Sequence, residues 1–438
     1  MDKTLSASFI ERATHISDFL APSLVEDWPQ LLVEKAQGCY LYTADRRKYL
    51  DFTSGIGVTN VGHCHPRVID AARGQMEKMI HSSIGVTFHE SLFSLCERLT
   101  EVLPSGLNMF FFGNSGSEAV EGALKMARYV TQRPAIIAFE GGFHGRNFGS
   151  TSVTSVKSRY RLHYEPLLPG IYFAPFAYPF RCPLGIEPKK SVEWSLNGIQ
   201  NLFDHFVSPS EVAAFLVEPV QGEAGYIIPP QEFLKGLREL CDKHGILLIM
   251  DEVQTGFGRT GEMFASQVFN IRPDILAVAK GIASGFPLGA TISNRDLMKK
   301  WAAGSHGTTF GGNPVACAAG VATQDIIRDE NLLENSRLMG ARLLKGLKDF
   351  QARYSSIGEA RGLGLMLAME MVTPDDSNTP NPKMAMNVLE GCLKRGLVAY
   401  MAGYKSHVVR LIPPLIVTSD QVDQALQIIE DSLEEANS

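Results

Sequence analysis

No Cys-x-x-Cys pair occurs among the seven cysteines, Cys39, Cys64, Cys96, Cys182, Cys241, Cys317 and Cys392, which are scattered and odd in number. That pattern gives no support to a disulfide framework and fits reduced thiols of a cytoplasmic protein; no bound metal is expected. Long apolar runs are also missing. Purely aliphatic stretches such as residues 246–250 are far too short to cross a bilayer. Residues 1–20 mix Asp2, Lys3, Glu11, Arg12 and Asp18 into their apolar residues, so no signal-peptide core is read there. Runs of one charge are absent and the formal net charge is −6, which gives no reason to expect nucleic acid or an anionic membrane as partner. A small-molecule substrate is the better expectation. There is no internal repeat, no low-complexity tract and no Gly-Lys-Ser or Gly-Lys-Thr of a P-loop.

What is present is a chain of 438 residues, 45% apolar and 20% charged, enough for two or three lobes around a large core. Apolar runs at residues 109–112, 135–139, 213–217, 246–250 and 275–278 alternate with helical periodicity, the pattern of parallel strands covered on both faces by helices. A doubly wound α/β sheet is predicted. From about residue 330 a long helix pattern (Leu332, Leu333, Leu338, Leu343, Leu344, Leu347) leads into strict alternation at Leu363, Leu365, Leu367, Met369 and Met371, which begins a smaller α+β lobe. Residues 374–382 read as a surface loop, a strand is expected near residues 408–412, and Thr418 and Gln421 have capping-box spacing for a final helix. Residues 166–188 hold six prolines and read as a long loop. The expected organisation is therefore residues 1–60 as an N-terminal segment packing with the small domain, 61–329 as the large domain, and 330–438 as the small domain.

In open α/β sheets ligands bind beyond the carboxyl ends of the strands, so polar residues directly after apolar runs matter. Asp251 and Glu252 follow one run, and Lys280 follows another. Alone, an aspartate there is most simply a turn cap and a lysine a solvated side chain. Beside Val278 and Ala279, however, the amine is expected to be desolvated, which lowers its pKa and leaves neutral amine to attack an aldehyde. Residues 109–112 run into Gly113-Asn114-Ser115-Gly116-Ser117 and then a helical pattern, so backbone N–H groups and the helix dipole form an anion site suited to phosphate. The turn lacks the dinucleotide spacing G-x-G-x-x-G, which weighs against a nucleotide. Glu140-Gly141-Gly142-Phe143-His144-Gly145-Arg146 follows the next strand; its glycines allow close backbone approach, and Phe143 could stack on a flat ring.

With these motifs in that order, the chain resembles a subgroup III, fold-type I pyridoxal-phosphate-dependent aminotransferase, of the ω-aminotransferase group that includes 4-aminobutyrate, ornithine and acetylornithine aminotransferases. The matching motifs extend from Asp51-Phe52 and Gly62-His63-Cys64-His65-Pro66, through residues 114–128 and 142–146, to Glu218-Pro219-Val220-Gln221-Gly222-Glu223. They continue through residues 251–261, Ala279-Lys280-Gly281, residues 307–314 and Val409-Arg410. The resemblance implies pyridoxal 5'-phosphate as cofactor, with Gly116 and Ser117 on its phosphate and Phe143 on one ring face. Asp251 would pair with the pyridine nitrogen, Gln254 would contact the phenolic oxygen, and Lys280 would form the Schiff base. Thr309 would reach the phosphate of a neighbouring subunit's cofactor, which implies a homodimer or dimer of dimers.

For the substrate, the resemblance places Arg410 on the α-carboxylate of an amino acid or oxo acid, with Glu223 pairing it when an ω-amino acid occupies the site and swinging away when glutamate arrives. Arg146 would hold the distal carboxylate as a buried contact, and Ile56 would line the site. This favours 4-aminobutyrate or 5-aminovalerate as donor and 2-oxoglutarate as acceptor. Phe143 stands where some 4-aminobutyrate enzymes carry tyrosine, removing a hydroxyl. The alternatives are an acetylornithine- or ornithine-type aminotransferase, an amino-acid racemase or epimerase on the same framework, and a cofactor-binding regulator. The last is disfavoured because the chain has no spare N-terminal domain or basic patch.

Overall fold

The computed structural model describes residues 19–24, 31–183 and 186–438. Most of residues 1–20, parts of the N-terminal segment, and residues 184–185 of the proline-rich stretch lie outside the described residues.

Strands β1 (Val33–Gln37), β2 (Tyr40–Thr43) and β3 (Lys48–Asp51) form an antiparallel meander near the N-terminus. The central sheet comprises β4 (Met109–Gly113), β5 (Ala135–Phe139), β6 (Ile171–Ala174), β7 (Val212–Val217), β8 (Leu247–Asp251), β9 (Ile275–Val278) and β10 (Gly289–Ser293). Their order is β4-β10-β9-β8-β7-β5-β6, with β10 antiparallel to both its neighbours and the other strands sharing one direction. The C-terminal region adds β11 (Ile357–Leu363), β12 (Met366–Thr373), β13 (Asp376–Pro380), β14 (Leu397–Val398), β15 (Tyr400–Ala402) and β16 (Val408–Leu411). There β11-β12-β16-β15 form an antiparallel sheet with β13 beside β12, and β14 joins β3 in parallel.

The apolar runs became buried strands because helices cover both faces. Ile136, Ala138, Leu216, Ile249 and Ala277 pack on one face against Val120, Ala123 and Ala127 of the helix Gly116–Thr131. Ile137, Phe139, Phe215, Leu248 and Met250 face the other way, toward Ile199, Phe233 and Leu237 of the helices Ser191–His205 and Gln231–His244. Each Val, Ile, Leu, Phe or Met among them contributes about 1.5–3 kcal/mol when fully buried, so both faces of the sheet are firmly held.

Three local readings are corrected. The proline-rich loop contains β6, and the loop at 374–382 contains β13. The alternation across residues 363–371 spans a hairpin rather than one strand: Leu363 ends β11, Leu365 lies in the turn, and β12 is buried through Val372 on both faces. The polar member of β12, Glu370, is buried because Arg181, Arg361, Tyr178 and His407 surround it. β10 was missed because Thr291 and Ser293 interrupt its apolar character; their hydroxyls donate to Ala119 O and Asp274 O at 2.7 and 2.8 Å, so burial leaves neither unsatisfied. Thr418 caps the last helix, Ser419–Asn437, in a capping box with Gln421.

The large and small domains meet at Arg259, which is fully buried and donates to Leu365 O, Pro413 O and Asn60 Oδ1. No helix among the described residues is long and apolar enough to cross a membrane.

Candidate active site

Because β4, β5, β7, β8 and β9 run the same way, their carboxyl ends open on one edge of the sheet, and the residues that follow them line a cavity of about 510 Å³. Gly116, Ser117, Phe143, Arg146, Glu223, Asp251, Gln254, Lys280 and Ile56 all line it. Arg410, on β16 of the small domain, reaches the same place through Glu223.

The turn after β4 is built for an anion. Ser115 caps the helix Gly116–Thr131 by accepting from Glu118 N, and a Cβ on Gly116 would come within 2.7 Å of Val253, so only glycine lets the backbone sit there. Ser117 Oγ accepts the Arg146 N–H at 3.1 Å, which leaves the hydroxyl proton free to donate into the cavity. Gly145, at φ 129°, could not carry a side chain either, since its Cβ would meet Ser117 Oγ.

Asp251 ends β8 and is buried. Its Oδ1 accepts the Val253 N–H at 3.0 Å, and its Oδ2 lies 2.8 Å from His144 Nδ1. Burial opposes a charged imidazole, but the Asp251 contact and the nearby Glu218 carboxylate outweigh it and raise the His144 pKa. Glu218, directly after β7, accepts from Phe143 N and Gly222 N, both at 2.8 Å. Burial pushes Glu218 up to about 7, a rise that His144 resists and Asp251 reinforces. Phe143 is thus fixed through its own amide, and its ring meets Tyr160 edge-on at 5.6 Å.

Lys280 follows β9 at φ 47°, a left-handed conformation uncommon outside glycine. Burial and the Arg410 charge lower its pKa to about 8, against the pull of Asp251, Glu218 and Glu223. About a tenth of the amine is therefore neutral at pH 7, far more than at the ordinary value of 10.5. Gln254 lines the cavity with a buried Oε1 that has no partner. An unsatisfied amide, a serine proton without an acceptor, a glycine cradle at a helix N-terminus, an activated amine and a buried carboxylate together suit a phosphorylated aldehyde with a basic ring nitrogen.

One expected residue sits differently. Arg146 is exposed rather than buried, its guanidinium lying over the Tyr160 ring at 4.6 Å. Thr309 lies outside this cavity, lining a separate one with Asn114, Glu118 and Phe310. Four residues that carry the site were given no role from the sequence. Glu218 had the signal that revealed Asp251, a carboxylate immediately after an apolar run, and His144 adjoins Phe143. Lys157 and Tyr160, which contact Glu223, have no local pattern that marks them.

The fold and site define a fold-type I pyridoxal-phosphate enzyme. Residues 24–433 match the family model "Aminotransferase class-III". An alanine/serine racemase of Pyrococcus horikoshii is 38% identical over 92% of this chain and 86% of its own length. A 4-aminobutyrate aminotransferase of Escherichia coli is 36% identical over 93% of this chain and 94% of that one. An amine transaminase structure from an uncultivated Pseudomonas species, in its PLP-bound form, superposes with a TM-score of 0.90 at 31% identity, covering 96% of this chain and 99% of that one. The chain belongs to the class-III aminotransferases, and its cofactor is pyridoxal 5'-phosphate.

The lowered Lys280 pKa gives the cofactor-free protein a defined pH dependence. Below pH 8 the folded chain holds a charged, buried amine, whereas the unfolded chain keeps its proton up to the ordinary 10.5. Between those values the unfolded state binds more protons, so this group makes the fold more stable as pH rises. Lys280→Met should therefore stabilise the cofactor-free protein at pH 7 and flatten its urea midpoint between pH 8 and 10.5. A Lys280→Met profile parallel to wild type across that window would refute the depressed pKa.

Proposed function

We propose that this aminotransferase moves the amino group of an ω-amino acid of the 4-aminobutyrate type to 2-oxoglutarate. The observation that carries the reading is the ion pair between Arg410 Nη1 and Glu223 Oε2, 3.0 Å apart beside Lys280. An enzyme for α-amino acids alone needs only the cation. A carboxylate able to neutralise Arg410 in its absence lets an ω-amine, which has no neighbouring carboxylate, enter without stranding a buried charge. Although 3.0 Å from Glu223, Arg410 Nη1 makes no aligned hydrogen bond, so a better-oriented carboxylate can replace it.

In this reading Gly116 and Ser117 hold the cofactor phosphate, Phe143 covers the ring, Asp251 faces its nitrogen and Gln254 its phenolic oxygen. When bound, pyridoxal phosphate supplies the aldehyde that takes up the amine and a ring that accepts the electron pair left on the substrate carbon. Asp251, held by His144 at 2.8 Å, would face the ring nitrogen and favour a proton there. Lys280 would hold the cofactor, and its Nζ would move a proton from the amine-bearing carbon of the substrate to the cofactor carbon beside it. Arg146 meets the distal carboxylate at the mouth of the site, with Ile56 on the rim. The donor alternatives, an acetylornithine- or ornithine-type amine, use the same machinery.

Two copies are proposed to form the working enzyme. Ile80, Val86, Phe88, Phe93 and Phe310 are exposed around the Thr309 loop, more apolar surface than an isolated chain ordinarily leaves to water. Thr309 would then serve the partner's cofactor phosphate. Sedimentation at micromolar concentration should give twice the mass of the chain; a monomer with full activity contradicts it.

The substrate reading is tested by measuring the two half-reactions separately. Glu223→Gln should weaken 4-aminobutyrate more than glutamate, Arg410→Ala should do the reverse, and Arg146→Ala should impair both. Loss of the buried charge contact at Arg410 is worth about 2–5 kcal/mol in kcat/KM, and loss of the exposed Arg146 less. Equal losses for both substrates in Glu223→Gln and in Arg410→Ala would remove the two-state site while leaving the family assignment intact.

A further inference from the structure

The carboxylate of Glu223 lies between two cations. Its Oε2 faces Arg410, and its Oε1 is 3.3 Å from Lys157 Nζ and accepts a hydrogen bond from Tyr160 OH, also at 3.3 Å. Lys157 is itself buried, with 8% of its surface exposed. The segment that carries it is tied down: Ser155 N and Val156 N both donate to Gly142 O, at 2.8 and 3.1 Å, and Val156 is buried. The cation is therefore held next to Glu223 by the same loop that presents Phe143.

This arrangement answers a question that the two-state reading leaves open. When an α-carboxylate takes Arg410, Glu223 loses its partner inside the protein, and an unpaired buried carboxylate costs several kcal/mol, on the order of what the new contact gains. A site with Arg410 as the sole cation would bind glutamate poorly. We propose that Lys157 is a positioning residue that receives Glu223 when an α-carboxylate displaces it from Arg410, and so sets the affinity for glutamate and 2-oxoglutarate. The exchange requires only rotation of the Glu223 side chain, because Tyr160 and Lys157 already contact the oxygen that stays. Arg410 does not move with it: its guanidinium lies 5.3 Å from the Tyr400 ring and 5.9 Å from the Tyr226 ring, which fix its plane. The charge balance of the pocket agrees. Burial alone would raise the Glu223 pKa, yet Arg410 and then Lys157 hold it below the usual carboxylate range.

The proposal rests on the two-state reading of Glu223, and half-reactions of the cofactor-loaded enzyme separate the two. In Lys157→Met the KM for glutamate should rise about tenfold or more, with kcat changed far less and a clearly smaller effect on 4-aminobutyrate. Lys157→Arg should restore glutamate to within about threefold of wild type, because the charge, not the ammonium shape, is what Glu223 requires. If Lys157 instead bound the distal carboxylate directly, both substrates would lose equally, and that result overturns the proposal. Should Lys157→Met fail to fold, Glu223→Gln/Lys157→Met carries the test, since it removes the Glu223 carboxylate together with this cation. Its KM for glutamate should match that of Glu223→Gln alone, and a further rise of about tenfold contradicts the role. A bias between substrates in Glu223→Gln with none in Lys157→Met refutes the Lys157 role only; no bias in Glu223→Gln refutes the switch itself.

Discussion

The Arg410 guanidinium, buried to 2% exposure, is answered by a carboxylate that comes from the other domain. Arg410 sits on β16 of the small domain, whereas Glu223 sits in the loop after β7 of the large one. The Glu223 backbone carbonyl also accepts from Gly403 N of the small domain, so the loop is held at both its main chain and its side chain. Packing between the domains, fixed at Arg259 by three acceptors from separate segments, brings the pair to the cavity that Lys280 lines. In the proposed function, a charge that must be neutralised, but by a partner that can be exchanged, would give the pocket room for substrates with and without an α-carboxylate.

The remaining electrostatics follow from how many carboxylates share that small volume. Asp251, Glu218 and Glu223 all pull the Lys280 proton on, while burial and Arg410 push it off, and the balance falls near pH 8. Nearby, Glu218 is pushed toward neutrality while Glu223, between two cations, stays ionised. Like groups in one cavity thus shift in opposite directions: burial outweighs the His144 charge and pushes Glu218 up, whereas two cations outweigh burial and hold Glu223 down. His144 keeps Asp251 oriented within this set, and a serine-glycine turn at a helix N-terminus supplies positive potential without adding a side-chain charge.

Much of this was legible in the sequence because the chemistry follows the strands. Asp251 and Lys280 directly succeed runs that are apolar on both faces, and Gly116 and Ser117 succeed another, so one rule about strand ends located the floor of the site. The pairing of Arg410 with Glu223 lay almost two hundred positions apart in sequence and came from the family resemblance rather than from any local pattern. Where the reading failed, buried polar residues had disguised a strand: Thr291 and Ser293 in β10 are each satisfied by partners distant in sequence. Lys157 was silent for the same reason, since a lysine in a loop is ordinarily solvated and only the folded chain places it against Glu223. The exposure of Arg146 depends on the shape of the pocket mouth, which no periodicity encodes.

The claim on which the account depends is that nitrogen passes from an ω-amine to an oxo acid through one site. Incubating the cofactor-loaded enzyme with 4-aminobutyrate labelled with the heavy nitrogen isotope and unlabelled 2-oxoglutarate, then analysing glutamate by mass spectrometry, tests it directly. The account predicts label in glutamate in step with consumption of the donor. Unlabelled glutamate and intact 4-aminobutyrate, in an enzyme that instead interconverts the enantiomers of alanine without an acceptor, would contradict it.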